Sequence, residues 1–242
     1  MKKFLKGSLS LLLAVTIVLS AAYIGLSEVD FAISASAASG NLSANVQWLL
    51  DNDGVLTISG NGPMVDYSYG SGALPYQANL VKKVVIADGV TSVGERAFKD
   101  CKVLKSVEIA DSVTSIGAYA FAYTDNLTYI IFPETPIEIG ESILEESAYY
   151  NDNSNWENGA LYIGKHLIRS NSNSEFTVKD GTVSIAKYAI SSNCWEITLP
   201  ESLKLISNGA FEYAEELDCV FFKGSQEQWE EITIGDNNDY LE

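Results

Sequence analysis

The sequence contains one histidine, His166, and three cysteines, Cys101, Cys194 and Cys219, in 242 residues. A nucleophile–imidazole–acid triad would need His166, which stands beside a tight turn and is expected to be a solvated turn residue. The cysteines are odd in number and lack the paired spacing of a metal site or disulfide framework. Cys194 falls in an apolar slot, where a thiol acts as a small buried hydrophobe. No HExxH, no paired CxxC and no glycine-rich phosphate loop after a strand occurs. Basic residues are also scarce, 15 against 32 acids, for a formal charge of −17. That field repels nucleic acid and anionic lipid, so both drop out as partners. The acids are spread over the chain, and no spacing singles out a glycosidase-like pair of carboxylates. Catalytic residues, metal ligands and cofactors are therefore expected to be absent, and the chain is not expected to be an enzyme.

Long apolar runs are confined to the beginning. Met1–Lys6 carries three lysines, an apolar run follows from Leu9 to Leu26, and Ala35-Ser-Ala37 closes the segment. This order describes a secretory signal peptide over 1–37, cleaved after Ala37. The run is also long enough for a retained anchor, and the small-x-small exit favours cleavage. Residues 1–37 hold three of the lysines and two of the acids, so the remainder has 12 basic and 30 acidic residues, a charge of −18. No second stretch of spanning length occurs, so the mature chain is expected outside the cell, secreted or at its surface.

A strong internal repeat organises most of the remaining chain. Ile86–Glu108 and Ile109–Ile131 are near copies, placing Val93 and Ile116, Gly94 and Gly117, and Phe98 and Phe121 each 23 residues apart. A period in the twenties marks stacked units that each bury an apolar face only against their neighbours. A first strand supplies Val81, Val84 and Ile86, then Leu104, Val107 and Ile109, then Leu127, Ile130 and Phe132. Later units give Phe176 and Val178, then Cys194, Ile197 and Leu199, and finally Leu217, Val220 and Phe222. A second apolar pair follows each strand: Val90/Val93, Val113/Ile116, Pro136/Ile139, Thr182/Ile185 and Leu203/Ile206. Gly94, Gly117 and Gly140 come next, where the turn of a coil would use positive φ. Last comes a small-then-large pair, as in Ala97-Phe98, Ala120-Phe121 and Ala210-Phe211. Lys99 and Ala122, one residue on, should then lie outside the core.

Two β-prone runs, Val46–Leu50 and Val55–Ser59, flank Asp51-Asn-Asp-Gly54 and predict a hairpin. That tetrapeptide resembles the start of a calcium loop, but the later ligand glutamate is missing, so a turn is expected. A glycine-rich loop, Gly60–Ala73, then leads through Leu74-Pro-Tyr76 to the first repeat. Unit three is interrupted from about Glu145 by a polar loop, Asn151–Gly159, and a hairpin, Leu161–Ile168, turning at Gly164-Lys165. Phe132 and Val178 are 46 residues apart, twice the period, so this hairpin is expected to occupy the place of one coil.

These columns, with VTSIGAYAF at their centre, resemble the BspA-like leucine-rich repeat family. LTISGNGPM resembles that family's opening segment, and FFKGSQEQWEEITIGDNND its closing segment, with Trp229 in the column of Ile206. The resemblance implies an α/β repeat solenoid, mainly β, with units of about 23 residues. It divides the chain into a signal peptide (1–37), an N-terminal hairpin cap (38–80), a repeat region with a hairpin insertion near 145–172 (81–222) and a C-terminal cap (223–242). It also implies an exported or cell-surface, non-enzymatic binding or adhesion module, since some members act as surface adhesins.

Alternate strand positions point away from the core. The outward columns contain Tyr129, Ile131 and Phe221, with Trp195 beside them and Glu108, Glu175 and Glu196 around them. Exposed aromatics among acids are the composition of a binding patch, expected to take a protein of host or bacterial surface. The alternative is a carbohydrate-binding surface, with Trp195, Tyr129 or Trp156 as stacking platforms.

Overall fold

The computed structural model describes residues 38–68, 76–171 and 174–241. The expected signal peptide, residues 1–37, and the end of the glycine-rich loop, with Leu74 and Pro75, lie outside the described residues. The described chain is a mainly β repeat fold with four sheets and little helix.

The first sheet has the order β1-β2-β3-β5-β7-β9. Its strands are β1 (Ala38–Asn41), β2 (Val46–Leu50), β3 (Val55–Gly60), β5 (Lys83–Ile86), β7 (Ser106–Ile109) and β9 (Tyr129–Ile131). The hairpin β2/β3 forms as expected, and the Asp51 carboxylate accepts from the backbone N–H of Asp53 and Val55. Both bonds serve the turn, which is the role of Asp51 in place of calcium ligation. Strand β1, which carries no apolar alternation, was not legible in the sequence and pairs antiparallel with β2. From β3 onward the pairing is parallel. Val84 faces Val107 and Ile86 faces Ile109, so the ladder register equals the repeat. In β5 and β7 inward residues are buried and outward ones partly exposed, the period-two burial of a one-sided strand.

A second sheet collects the second apolar pairs in the order β10-β8-β6-β4, from β4 (Gly62–Pro63), β6 (Val90–Val93), β8 (Ser115–Ile116) and β10 (Glu138–Ile139). Coil follows coil through bonds such as Gly117 N–H to Val93 O (2.9 Å) and Gly140 N–H to Ile116 O (2.8 Å). Gly117 is needed there for close approach, because a Cβ would stand 2.4 Å from the Glu95 nitrogen. The positive φ expected at these glycines lies two residues later instead. It falls on Arg96 (55°), Tyr119 (57°), Ser142 (50°), Tyr188 (57°) and Gly209 (65°), one residue per unit. A second such column is Asp100, Tyr123 and Glu146.

Past unit three the pattern changes. The third sheet has the order β11-β12-β13-β15-β17-β19, from β11 (Trp156–Glu157), β12 (Ala160–Ile163), β13 (His166–Ser170), β15 (Ser184–Ile185), β17 (Leu205–Ile206) and β19 (Thr233–Ile234). The fourth, β14-β16-β18, is built from β14 (Glu175–Thr177), β16 (Glu196–Leu199) and β18 (Cys219–Phe222). The inserted hairpin β12/β13 turns at Gly164, whose φ of +56° suits the first turn position. It does not fill the place of a coil strand beside β9, because β13 pairs with β15 in the third sheet, which carries the later second pairs. Ser184 and Ser207 bridge the junction by accepting from Ile137 N–H and Ile139 N–H, each at 3.0 Å.

Four further expectations change. Pro136 is exposed and Ile137 is buried in its place, since the proline lacks the N–H that Ile137 gives to Ser184. The partner of Ile206 is Ile234, not Trp229. Trp229 sits on α2 (Gln226–Glu230), after the short α1 (Ala148–Asn151), and packs edge-on against Phe222 at 5.4 Å. Ala122 is buried, with its carbonyl accepting from Asp100 N–H of the preceding unit. His166 is fully buried rather than solvated, against the Phe132 ring at 5.9 Å. The core otherwise follows the columns as far as β16, with Phe98, Phe121 and Phe211 among its largest fully buried side chains, whereas Leu217, Val220 and Phe222 at the last strand are only half-buried.

Candidate functional site

The outward columns carry the candidate surface. On β9, Tyr129 is 53% and Ile131 43% exposed; Trp195, just before β16, is 41% exposed, and Phe221 on β18 is 50% exposed. Period-two alternation explains the exposure of Tyr129, Ile131 and Phe221, whose strand neighbours Ile130 and Val220 turn toward the core, whereas Trp195 precedes β16 and lies outside its alternation.

The surface is divided between two sheets. Glu108, Tyr129 and Ile131 belong to the first, where Glu108 stands in register with Ile131 and pairs with Lys83 at 2.7 Å. Glu175, Glu196 and Phe221 belong to the fourth. There Glu175 lies in register with Glu196, and Cys219 follows Glu196. Trp195 is held by its backbone, donating to Ser174 O at 3.3 Å and accepting from Asp218 N–H at 2.9 Å. Its ring is among the exposed large apolar groups.

Trp156 differs from the other aromatics. Its indole N–H donates to Tyr150 O at 2.8 Å, and its ring meets Tyr150 edge-on at 5.3 Å. It is half-buried and secures the insertion, so its face is not offered as a stacking platform.

The groups suited to chemistry are committed elsewhere. The Nε2 of His166 lies 2.7 Å from the Pro133 carbonyl oxygen, which only accepts, so Nε2 carries the proton. Burial, partly opposed by that bond, pushes the His166 pKa below its ordinary value and keeps the ring neutral. Burial, with Asp100 adding to it, pushes the Cys101 thiol up to about 12, so it stays protonated. All three cysteines are free; Cys101 and Cys194 are buried. Among the described residues no group of three or more His, Cys, Asp or Glu is placed to hold a metal ion. No helix among them is long and apolar enough to cross a membrane.

Comparison with known proteins identifies the family. The model of the BspA type leucine rich repeat region matches in six copies, over residues 73–193 and 152–238. No curated protein matches the chain. Among solved structures, a leucine-rich repeat protein from Eubacterium ventriosum is 26% identical over 84% of this chain and 45% of its own, with a TM-score of 0.48. The T. pallidum leucine rich repeat protein is 25% identical over 75% of this chain and 71% of its own, TM-score 0.33. The pneumococcal vaccine antigen PcpA is 15% identical over 77% and 70%, TM-score 0.28. The chain thus spans less than half the length of the Eubacterium protein. The repeat period, the parallel ladders in register with it and the six matched copies agree: this chain belongs to the BspA-type leucine-rich repeat family.

Proposed function

We propose that the chain is an exported or cell-surface, non-enzymatic module that binds another protein through the face carrying Tyr129, Ile131, Trp195 and Phe221. In this reading 1–37 is a cleaved signal peptide, 38–80 an N-terminal cap, 81–222 a repeat solenoid and 223–242 a C-terminal cap. The observation that carries it is the exposure of four large apolar side chains, three on outward columns and Trp195 just before β16, where the core does not require their bulk. Interface energy concentrates in a few such anchors, each worth about 2 kcal/mol or more when truncated. Glu108, Glu175 and Glu196 around them favour a basic partner and faster association at low salt.

The test uses residues 38–242 immobilised against host-surface and bacterial-surface protein fractions. Proteins retained by the wild type and lost with Trp195→Ala/Phe221→Ala, at unchanged melting temperature, support the reading. Retention that survives the double substitution removes this face from the function. A glycan array run with the same pair checks the carbohydrate alternative, in which Tyr129 and Trp195 stack on sugar rings.

A further inference from the structure

The inserted strand β13 interrupts one main-chain ladder between coils and leaves its donors unmet. In unit one, the N–H groups of Arg96, Phe98 and Asp100 donate to the carbonyls of Ala118, Ala120 and Ala122 at 2.9, 2.8 and 3.0 Å. In unit two, Tyr119, Phe121 and Tyr123 donate in the same way to Glu141, Ile143 and Glu145. The equivalent donors of unit three are Ser142, Leu144 and Glu146. None of their N–H groups meets a partner among the described residues. By the repeat, Leu144 should reach the Ala189 carbonyl, but that oxygen accepts from Ser170 N–H of β13 at 2.7 Å. Leu144 is only 1% exposed, and a buried main-chain N–H without a partner is rare in folded proteins.

Ser142, Leu144 and Glu146 line a cavity of about 280 Å³, with Ile143 and Ile168 as apolar wall. This is close to the lower end of the range for small-ligand pockets. Arg169 of β13 also lines it, half-buried and without a carboxylate partner among the described residues. Its Nη1 donates to Tyr188 O at 2.8 Å, and its buried Nε has no partner among the described residues. Lys187 borders the cavity too, but Glu141 at 3.4 Å already matches its charge, and its Nζ sits over the Tyr188 ring.

We propose that this cavity binds the C-terminal end of a peptide chain whose last residue is apolar. Alternate carbonyls of the peptide take the donors of Ser142, Leu144 and Glu146, as the next coil's carbonyls do in units one and two. The terminal carboxylate accepts from the Arg169 guanidinium in a charge-assisted bond. A row of main-chain donors beside a cation is a known mode of capturing such an end. The last side chain packs against Ile143 and Ile168. Glu145 and Glu146 border the cavity as well, so acidic side chains on the peptide are disfavoured. The site shares no residue with the face carrying Tyr129 and Trp195 and does not depend on that reading.

The test titrates the purified chain with a fluorescein-labelled tetrapeptide, three alanines and a terminal leucine, read by fluorescence polarisation and amide NMR. Saturable binding is expected, with downfield shifts of the Ser142, Leu144 and Glu146 amide protons. The same peptide closed by a C-terminal amide should bind about tenfold or more weakly. Arg169→Gln should weaken the acid peptide similarly and leave the amide peptide unchanged. Should that variant melt lower than wild type, the peptide pair and the amide shifts decide alone. A carrier protein ending in the same four residues separates the sources. Equal binding assigns the site to a partner's C-terminus, and binding of the free peptide alone assigns it to short peptides. Trp195→Ala/Phe221→Ala should bind the peptide as wild type does. No saturable binding, equal affinity for acid and amide, or unshifted amides at these three residues overturns the proposal.

Discussion

Phe98 and Phe121 stack with ring centroids 5.4 Å apart and planes 6° from parallel, one repeat apart in the chain. Tyr76 extends the stack at 5.9 Å from Phe98, and Trp48 meets Tyr76 edge-on at 5.9 Å. The opening segment thereby joins the same aromatic column as the repeats. Phe121→Ala removes a fully buried ring that stacks on Phe98, and should cost about 3–5 kcal/mol. Lys99→Ala, at a half-buried position, should cost much less. Urea melts of the two variants check the difference. Ala122→Ser is not a neutral control, since Ala122 is buried.

The positive φ columns give a prediction of opposite sign. Glu146 is exposed and holds φ at 53°, a conformation that costs an L-residue about 1–2 kcal/mol. Unit five has Gly209 in the neighbouring column of this kind, where the conformation carries no such cost. Glu146→Gly should therefore stabilise by a few tenths to about 1 kcal/mol, the unfolded-chain entropy of glycine offsetting part of the relief. Glu146→Val should destabilise, because a β-branched side chain tolerates this region least. Thermal melts should rank Gly above Glu above Val.

These cases mark where the sequence was legible. Inward columns were readable because a side chain at a fixed period has one physical task, to fill a core slot, and Phe98, Phe121 and Phe211 fill theirs. The outward exposure of Tyr129, Ile131 and Phe221 came from the same alternation. Backbone geometry was not readable, since Arg96, Tyr119 and Ser142 share a positive φ without sharing a residue type. The insertion misled for a different reason. Its length equals a coil, but β13 pairs with β15, so the first and fourth sheets divide the candidate surface. His166 looked like a turn residue because its burial comes from Phe132 and Pro133, more than thirty positions away.

His166 makes stability depend on pH in a definite sense. Its folded pKa is lowered, so between that value and the unfolded value of about 6.5 the unfolded chain binds more protons. Its contribution is therefore complete above pH of about 6.5 and is lost as pH falls toward the folded pKa. The physical cause is a charged ring in an apolar site, with Nδ1 buried and without a partner among the described residues. Glu134 and Lys165 stand nearby, paired with each other at 2.7 Å. His166→Gln should flatten the melting temperature below about pH 6.5 relative to wild type, whose melting temperature falls there. Parallel slopes for both proteins would locate the pH dependence elsewhere.

The final prediction concerns how the last unit is closed. In earlier units a buried backbone N–H is met by the next unit's carbonyl: Phe98 N–H by Ala120 O (2.8 Å), Phe121 N–H by Ile143 O (2.9 Å) and Ile190 N–H by Ala210 O (3.2 Å). After Phe211 the following segment presents a side chain in place of that carbonyl, and the Phe211 N–H is met by the Oδ1 of Asn238 at 3.0 Å. The Asn238 Nδ2 donates to Ser207 O at 3.1 Å and Gly235 O at 2.8 Å, so a side-chain amide stands in for the missing peptide. Asn238→Ala leaves the Phe211 N–H buried and unpaired and should cost about 2–3 kcal/mol, the loss of a bond plus desolvation. Asn238→Asp keeps the acceptor but loses the two donors and adds a charge, so it should not restore stability. Deleting the residues after Lys223 removes Asn238, Trp229 and β19 together and should leave an apolar unit open, read as loss of monomer in sedimentation. A monomeric truncation with an unchanged melting temperature would show that the unit ending at Phe222 closes itself.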